Sequence, residues 1–439
     1  MQNGGFLADK PYRTKGGVHV DHHKNTKDCE SVKITPPNKV IIPMSQHAGA
    51  PCEPLVKAGD TVTVGQKIAD SAKYISAPIH SSVSGKVTKI GDYLMSNGLV
   101  TKTVEIESDG LMTVCPEVKP PVITDTASLI AAVRESGLVG LGGAGFPAHV
   151  KLSVPEDKTV DTLVINGAEC EPYITSDYRC MMEDTDDIVE GVKLLLDTMK
   201  IGRAIICIEG NKPEAIKLLK SRFENDENIT VVKLKAKYPQ GAEKTLVQAA
   251  TGRRIAPGKL PADAGCIVMN VTSAAFIARY VRTGMPLISK RITVDGSAVS
   301  NPGNIIVPVG IPIKEVMEFC GGYKTTPRQI IMGGPMMGVD IYSDEDPVLK
   351  QNNAILAFDE KDSPRLKASP CIRCGRCVRV CPMNLMPTRL EALSNAKDKE
   401  ALRTSGITSC MECGSCSYVC PSKRNLIQTI RLGKALLRS

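Results

Sequence analysis

Cys371-Ile-Arg-Cys374-Gly-Arg-Cys377-Val-Arg-Val-Cys381-Pro382 and Cys410-Met-Glu-Cys413-Gly-Ser-Cys416-Ser-Tyr-Val-Cys420-Pro421 decide what this chain is built around. Both stretches read Cys-x2-Cys-x2-Cys-x3-Cys-Pro, the spacing with which thiolates close a cubane [4Fe–4S] cluster. Three cysteines at three-residue intervals wrap one face of a cluster, and the fourth reaches across to the other cluster. The expected ligand sets are therefore Cys371, Cys374, Cys377 and Cys420 for the first cluster, and Cys410, Cys413, Cys416 and Cys381 for the second. Structural zinc usually pairs two Cys-x2-Cys units instead, and disulfide frameworks belong to short secreted chains. Two clusters imply one-electron transfer.

Working outward, 439 residues suggest two to four domains. The opening MQNGGFLADKPYRTKGG lacks the apolar core of a signal peptide, and no apolar run approaches a bilayer's thickness. Eight of the sixteen cysteines lie outside the two motifs without motif spacing, as in a reducing cytoplasm. Tryptophan is absent and aromatics are few, which argues against nucleic-acid stacking platforms. The net charge of +8 is local: residues 365–439 hold fourteen lysines and arginines against four acids, leaving the first 364 residues two charges negative. Cations at Arg373, Arg376, Arg379, Lys423 and Arg424 would partly neutralise anionic clusters.

The remaining text divides into further segments. Residues 1–40 read as a polar arm, solvated or at a sheet edge, with a metal site at His19, His22 and His23 as the lesser alternative. Short alternating runs over 41–115 predict β-hairpins in a compact sandwich. Over 122–285 strands and helices alternate: strands at 162–167, 203–209, 229–234 and 266–271, helices at 187–199, 213–223, 242–251 and 273–284. This predicts an α/β domain with a largely parallel sheet. Residues 286–338 return to short β-like runs, 339–364 read as a mixed connector, and 365–439 form a helical cluster domain. The closing NLIQTIRLGKALLRS predicts an amphipathic helix packed on that domain, with a membrane-surface role as the alternative.

Gly140-x-Gly142-x-x-Gly145 matches a dinucleotide fingerprint literally, but the preceding segment looks helical and Phe146-Pro147 interrupts the helix that should open on the third glycine. Glycines let a backbone approach phosphates where side chains would clash. Spacing alone leaves a phosphate cradle and a purely structural turn equally open.

Several of these motifs resemble known families. GLGGAGFPAHVKL resembles the flavin loop in the flavoprotein subunit of respiratory complex I. Asn166-Gly-Ala-Glu169-Cys-Glu171-Pro172, Tyr238-Pro-Gln-Gly241-Ala-Glu243 and Asn270-Val271 resemble three further motifs of that family, in the same order. The resemblance implies noncovalent FMN with NAD(H) stacked over its ring. Gly140, Gly142, Gly143 and Lys151 would cradle the FMN phosphate within a loop that includes Ala144 and Gly145, and Asn166 would contact the flavin. Phe146, Glu169 and Glu171 would flank the nicotinamide nucleotide, and Tyr238, Gly241, Glu243 and Asn270 would complete the site. Ala168 and Ala242 stand where that family carries acids.

Residues 41–115 are similar to lipoyl carrier domains, but Lys73 is misplaced for cofactor attachment, so a barrel-sandwich scaffold is expected. The 286–338 segment resembles the soluble-ligand-binding (SLBB-like) β-grasp domain, and 365–439 a dicluster ferredoxin. Barrel-sandwich, α/β FMN/NADH-binding, β-grasp and ferredoxin-like domains in this order resemble the RnfC family of the Rnf electron-transport complex. That resemblance implies a translocase subunit, peripheral at the cytoplasmic face of the membrane, of an ion-translocating ferredoxin:NAD+ oxidoreductase. Its partners would be an iron–sulfur B-type subunit, the membrane subunits and, indirectly, ferredoxin. A soluble NADH-dependent reductase of a corrinoid or similar acceptor, and a flavin-free cluster scaffold, are the alternatives.

Overall fold

Strands Thr162–Gly167, Arg203–Glu209, Ile229–Leu234 and Cys266–Asn270 form one all-parallel sheet. Their spatial order is third, second, first, fourth. The computed structural model describes residues 10–96 and 98–437. Each of these strands is a nearly unbroken apolar run because helices cover both faces. Leu163, Ile165, Ile206 and Met269 face helices Thr185–Met199 and Val271–Thr283, while Val164, Cys207, Val232 and Val268 face helix Glu243–Thr251. Asn166 and Asn270 are register partners at the carboxyl edge of the sheet. In open α/β sheets that edge is where ligands bind.

Before this unit lies a small sandwich. Lys39–Pro43, Val100–Ser108, Gly85–Leu94 and Thr61–Val62 form one sheet; Glu53–Pro54, Lys67–Asp70 and Ile79–His80 form the other. After the parallel sheet comes a six-stranded one. Its strands run Ser31–Lys33, Gly303–Pro308, Ser289–Asp295, Ala354–Phe358, Gln329–Met332 and Val339–Ile341 in spatial order. Helices Pro387–Asn395, Lys399–Thr404 and Leu426–Leu436 carry the cysteine loops. The last of them buries Leu426, Ile427 and Ile430, and Gly433 lies against Ser394 of the helix Pro387–Asn395.

Two expectations change. Ala354–Phe358, inside the expected connector, is an interior strand with all five residues buried. An unalternating apolar run of five carries no period to betray it. The amino-terminal arm is not a solvated tail but a strap. Tyr12 N–H donates to Ala249 O, and Val18 and Tyr238 exchange backbone hydrogen bonds. Val18, Val20 and Thr26 are buried, and Ser31–Lys33 pairs in parallel with Asn304–Ile306. His23 stacks on Tyr173 at 4.7 Å.

Helices Thr185–Met199 and Val271–Thr283 cross at Gly191, where an added Cβ would stand 2.1 Å from Ala274 O. Alanine there would gain about 1 kcal/mol of helix propensity. Overpacking against rigid backbone costs about 1–3 kcal/mol or more. Gly191→Ala should therefore lower the thermal unfolding midpoint; an unchanged or raised midpoint would show that the helices separate freely.

Candidate functional site

The glycine loop sits at the carboxyl edge of the parallel sheet. It is pinned from below: Gly140 N–H donates to Phe146 O (2.8 Å), Leu141 N–H to Ser273 Oγ (3.1 Å), and Lys290 Nζ to Leu141 O (2.8 Å). Ala48 of the small sandwich donates its N–H to Gly145 O (3.0 Å). What remains is the tip, Gly142, Gly143 and Ala144, all exposed. Among the described residues nothing accepts from their three N–H groups. Consecutive outward amides at the edge of a parallel sheet make an anion-binding nest. Gly143 has φ +105°, and a Cβ there would meet only Asn353 Nδ2 at 3.9 Å, whereas a Cβ on Gly142 would press Asn270 Nδ2 at 3.2 Å.

Around this loop the side chains are already oriented. Asn166 Nδ2 donates to Gly241 O (2.9 Å), and its Oδ1 accepts from Ala168 N–H (3.2 Å). Asn270 caps the helix Val271–Thr283 through Oδ1, and its Nδ2 donates to Asp177 Oδ2 (2.7 Å). Lys151 is ion-paired with Glu243, so its ammonium is not idle. Asp177 and Lys290 were not anticipated. Both are fully enclosed: burial raises the Asp177 carboxyl and draws Lys290 down to about 7, with Asp177 opposing that fall.

The segment Ala168–Ile174 carries the expected acids, and two lysines grip its carbonyls. Lys24 of the strap donates to Glu169 O (2.9 Å), Glu171 O (2.8 Å) and Ile174 O. Lys212 donates to Ala168 O (2.7 Å). All three ammonium donors of Lys24 are thus satisfied. Glu169 is left-handed at φ +49°, and its carboxylate accepts from Asp177 N–H (2.6 Å) and Tyr178 N–H (3.3 Å) at the start of helix Ser176–Glu183. Burial pushes Glu169 up and Lys24 down, each countering the other. Glu171 accepts from Met336 N–H (3.0 Å) and from Tyr238 Oη–H (3.5 Å), and burial lifts it to about 7. Both carboxylates are therefore engaged with protein donors. Phe146 is half-buried beside the loop tip. Ala168 is buried among Val164, Leu246 and Val268, where an acid would lack water.

The cysteine motifs share one backbone design. Arg373 and Glu412, Gly375 and Gly414, and Asn384 and Lys423 are left-handed at equivalent positions of the two loops. Cys381, Cys410, Cys413 and Cys416 line one cavity with Pro382, Leu385, Leu390 and Ile430, bringing one cysteine of the first motif to three of the second. Cys377 and Cys420 pack around Leu426 together with Cys416. Amides point at the sulfurs: Leu385 N–H to Cys381 (3.3 Å), Glu412 N–H to Cys410 (3.4 Å), Arg373 N–H to Cys371 (3.4 Å). Apolar walls, four convergent thiols and N–H···S contacts fit a [4Fe–4S] cluster, whose potential such hydrogen bonds tune. This cavity abuts the strap and the Tyr238 loop of the parallel-sheet unit. Cys413 packs with Val18, Val20 and Tyr238, and Gly414 touches Met336.

Residues 12–111 match the RnfC barrel sandwich hybrid domain, 133–279 the Nuo51 FMN-binding domain, 291–340 the SLBB domain and 370–424 the 4Fe-4S dicluster domain. The chain is 43% identical over 424 residues to the C component of the Na(+)-translocating ferredoxin:NAD(+) oxidoreductase complex of Acetobacterium woodii, covering 96% of each. It belongs to the RnfC family. The corresponding C component of the proton-translocating ferredoxin:NAD(+) oxidoreductase complex of Clostridium ljungdahlii is 44% identical over 427 residues, 96% of this chain and 93% of that one. A chain of an NAD+-reducing [NiFe]-hydrogenase in the H2-reduced state shares the fold. Its TM-score is 0.51 at 18% identity, over 71% of this chain and 63% of that one. This RnfC-family chain accordingly carries an FMN-binding domain and a dicluster domain, and the free amides at Gly142–Ala144 fit an FMN phosphate.

Replacing Lys24 by methionine would leave Glu171 O and Ile174 O without that donor, and Glu169 O with only Lys212 Nζ at 3.4 Å, at about 1–3 kcal/mol for each buried group left unpaired. Lys24→Met should loosen segment 169–174, read as faster amide exchange there, with weaker NADH use and flavin content retained. Gly143→Val should abolish flavin binding, because a branched side chain is strained at that φ and obstructs the nest. Full flavin in the Gly143 variant would show that the loop is only a turn.

Proposed function

We propose that this chain is the NAD(H)-reactive subunit of an ion-translocating ferredoxin:NAD+ oxidoreductase, exchanging electrons between nicotinamide and two cubane clusters. The observation that carries it is the continuity between the two sites. Tyr238, whose loop also holds Gly241 against Asn166, packs directly on Cys413 of the second cluster cavity. A bound FMN supplies the conversion between two-electron hydride chemistry and the single electrons that clusters take. The chain's own residues do the rest. Gly142, Gly143 and Ala144 would present free amides to the phosphate, held in place by the turn between Gly140 and Gly145; Lys151 with Glu243 would border it, and Asn166 and Asn270 hold fixed amides at the sheet edge. Lys24 and Lys212 set the segment bearing Glu169 and Glu171, which with Phe146 would border the nicotinamide.

Cys410, Cys413, Cys416 and Cys381 would hold the cluster proximal to the flavin. Cys371, Cys374, Cys377 and Cys420 would hold the distal one, because Cys371 and Cys374 are exposed whereas Cys413 is buried against Val18, Val20 and Tyr238. Among the described residues no helix is long and apolar enough to cross a membrane. We place it peripherally at the cytoplasmic face, beside the membrane subunits and an iron–sulfur B-type subunit; the relatives' names support membership of a multi-subunit complex.

Anaerobically purified protein should contain about eight iron and eight sulfide, as two cubanes require. NADH should bleach flavin and cluster absorbance together. Stoichiometric zinc with little sulfide would overturn the cluster assignment. Cys381→Ser should damage the proximal cluster more than the distal one, which low-temperature spin spectra of the reduced protein can distinguish.

A further inference from the structure

The distal cluster site carries a surface the electron route alone does not explain. Ile372 lies between ligands Cys371 and Cys374, Val378 follows Cys377, and Tyr418 precedes Cys420 by two residues. All three are exposed, Ile372 at 68% and Tyr418 at 50%. Residues 364–374 are exposed without interruption. Interleaved with these apolar side chains are Arg373, Arg376, Arg379 and Lys423, all exposed. Among the described residues none of the four has an ion-pair partner; Arg379 only donates to Cys374 O at 3.3 Å. Elsewhere in the same domain cations are paired within the chain: Arg424 with Glu391, and Arg431 and Lys434 with Glu412. Glu391 meets Arg424 close to Cys371 and Cys420, yet neither it nor Glu412 pairs with any of these four cations.

We propose that the exposed surface of the loops holding the distal ligands, which bears Ile372, Val378 and Tyr418 together with Arg373, Arg376, Arg379 and Lys423, is the docking surface for an acidic, cofactor-bearing protein subunit that exchanges single electrons with the distal cluster. This docking rests on the proximal and distal order proposed for the two clusters. An apolar centre brings surfaces into contact, while unpaired rim charges steer encounter and select an acidic partner. A phospholipid surface would also attract these cations, but it offers no electron acceptor beside the ligand loops. Charge steering at such a rim is screened within roughly 8 Å at physiological ionic strength.

The test uses the full holoprotein and membranes carrying the complex without this subunit. Wild-type chain should rebind less tightly as salt rises. Arg376→Glu with Lys423→Glu should lose about tenfold or more in rebinding at low salt. Iron content and NADH-to-dye turnover should stay unchanged in that variant, since neither residue belongs to the flavin site. Wild-type rebinding by the variant, with shifted cluster potentials, would show that these cations only neutralise the cluster internally and would overturn the proposal. Lost binding to anionic phospholipid vesicles with rebinding to the complex intact would overturn it in favour of a lipid surface. A distal cluster that NADH cannot reduce in the isolated chain would sink the route while leaving rebinding unaffected, so the two failures are separable.

Discussion

Lys24 places one ammonium against three carbonyls of the segment that comes after the first strand of the parallel sheet. A buried cation is tolerated only when its donors are filled, so the strap that carries it has one seating. Its other contacts follow from that seating. Gly17 N–H donates to Val380 O in the first cysteine motif, Val18 pairs with Tyr238, and Ser31–Lys33 joins the edge of the six-stranded sheet. Gly16 lies so close to Val380 O, 2.7 Å from where a Cβ would stand, that only glycine at φ +62° fits. One extended segment thus fixes the flavin domain, the β-grasp domain and the cluster domain relative to one another. Electron transfer needs those relative positions more than it needs any single side chain.

Crossed ligation, as proposed for the two clusters, would impose a second constraint. With Cys381 standing among Cys410, Cys413 and Cys416, neither cysteine loop can form its site without the other. The helices between the motifs exist to bring the loops back together. Pro387–Asn395 packs along Leu426–Leu436, with Gly433 giving the space that Ser394 occupies. Glu391 on the first of these helices then pairs with Arg424 beside the second loop.

The parallel sheet was legible because each strand is an unbroken apolar run and each helix a periodic one, both local signals. The dicluster domain was legible because the Cys-x2-Cys-x2-Cys-x3-Cys-Pro spacing is peculiar to such clusters. Lys24, Asp177 and Lys290 were not. A lysine among histidines, aspartate and asparagine reads as solvated, and its three acceptors lie about 150 residues away. Asp177 shows only as an acid in the first turn of a short helix, where a dipole explanation suffices. Lys290 alternates inward on an edge-like run, SKRITVD, whose opposite face looks no more apolar. Ala354–Phe358 was missed for lack of period, and the strap because its apolar residues, Val18 and Val20, are too few to announce burial.

The literal Gly-x-Gly-x-x-Gly is instructive for where it stands. In a dinucleotide fold the glycine turn comes after the first strand and opens a helix. Here the loop precedes the first strand of the sheet and opens only the short turn Ala148–Leu152. The place after the first strand is taken by Asn166 to Ile174, the segment that the two lysines hold. On the proposed reading, phosphate recognition and nicotinamide recognition would fall to different segments of chain. The glycine tip offers amides without a charged side chain, and the held segment offers acids without glycine's freedom. Separating them lets the tip stay open to an anion while the acid-bearing segment is fixed from behind by cations that no ligand touches. Such a division suits a site that must keep one nucleotide permanently and exchange another at every turnover.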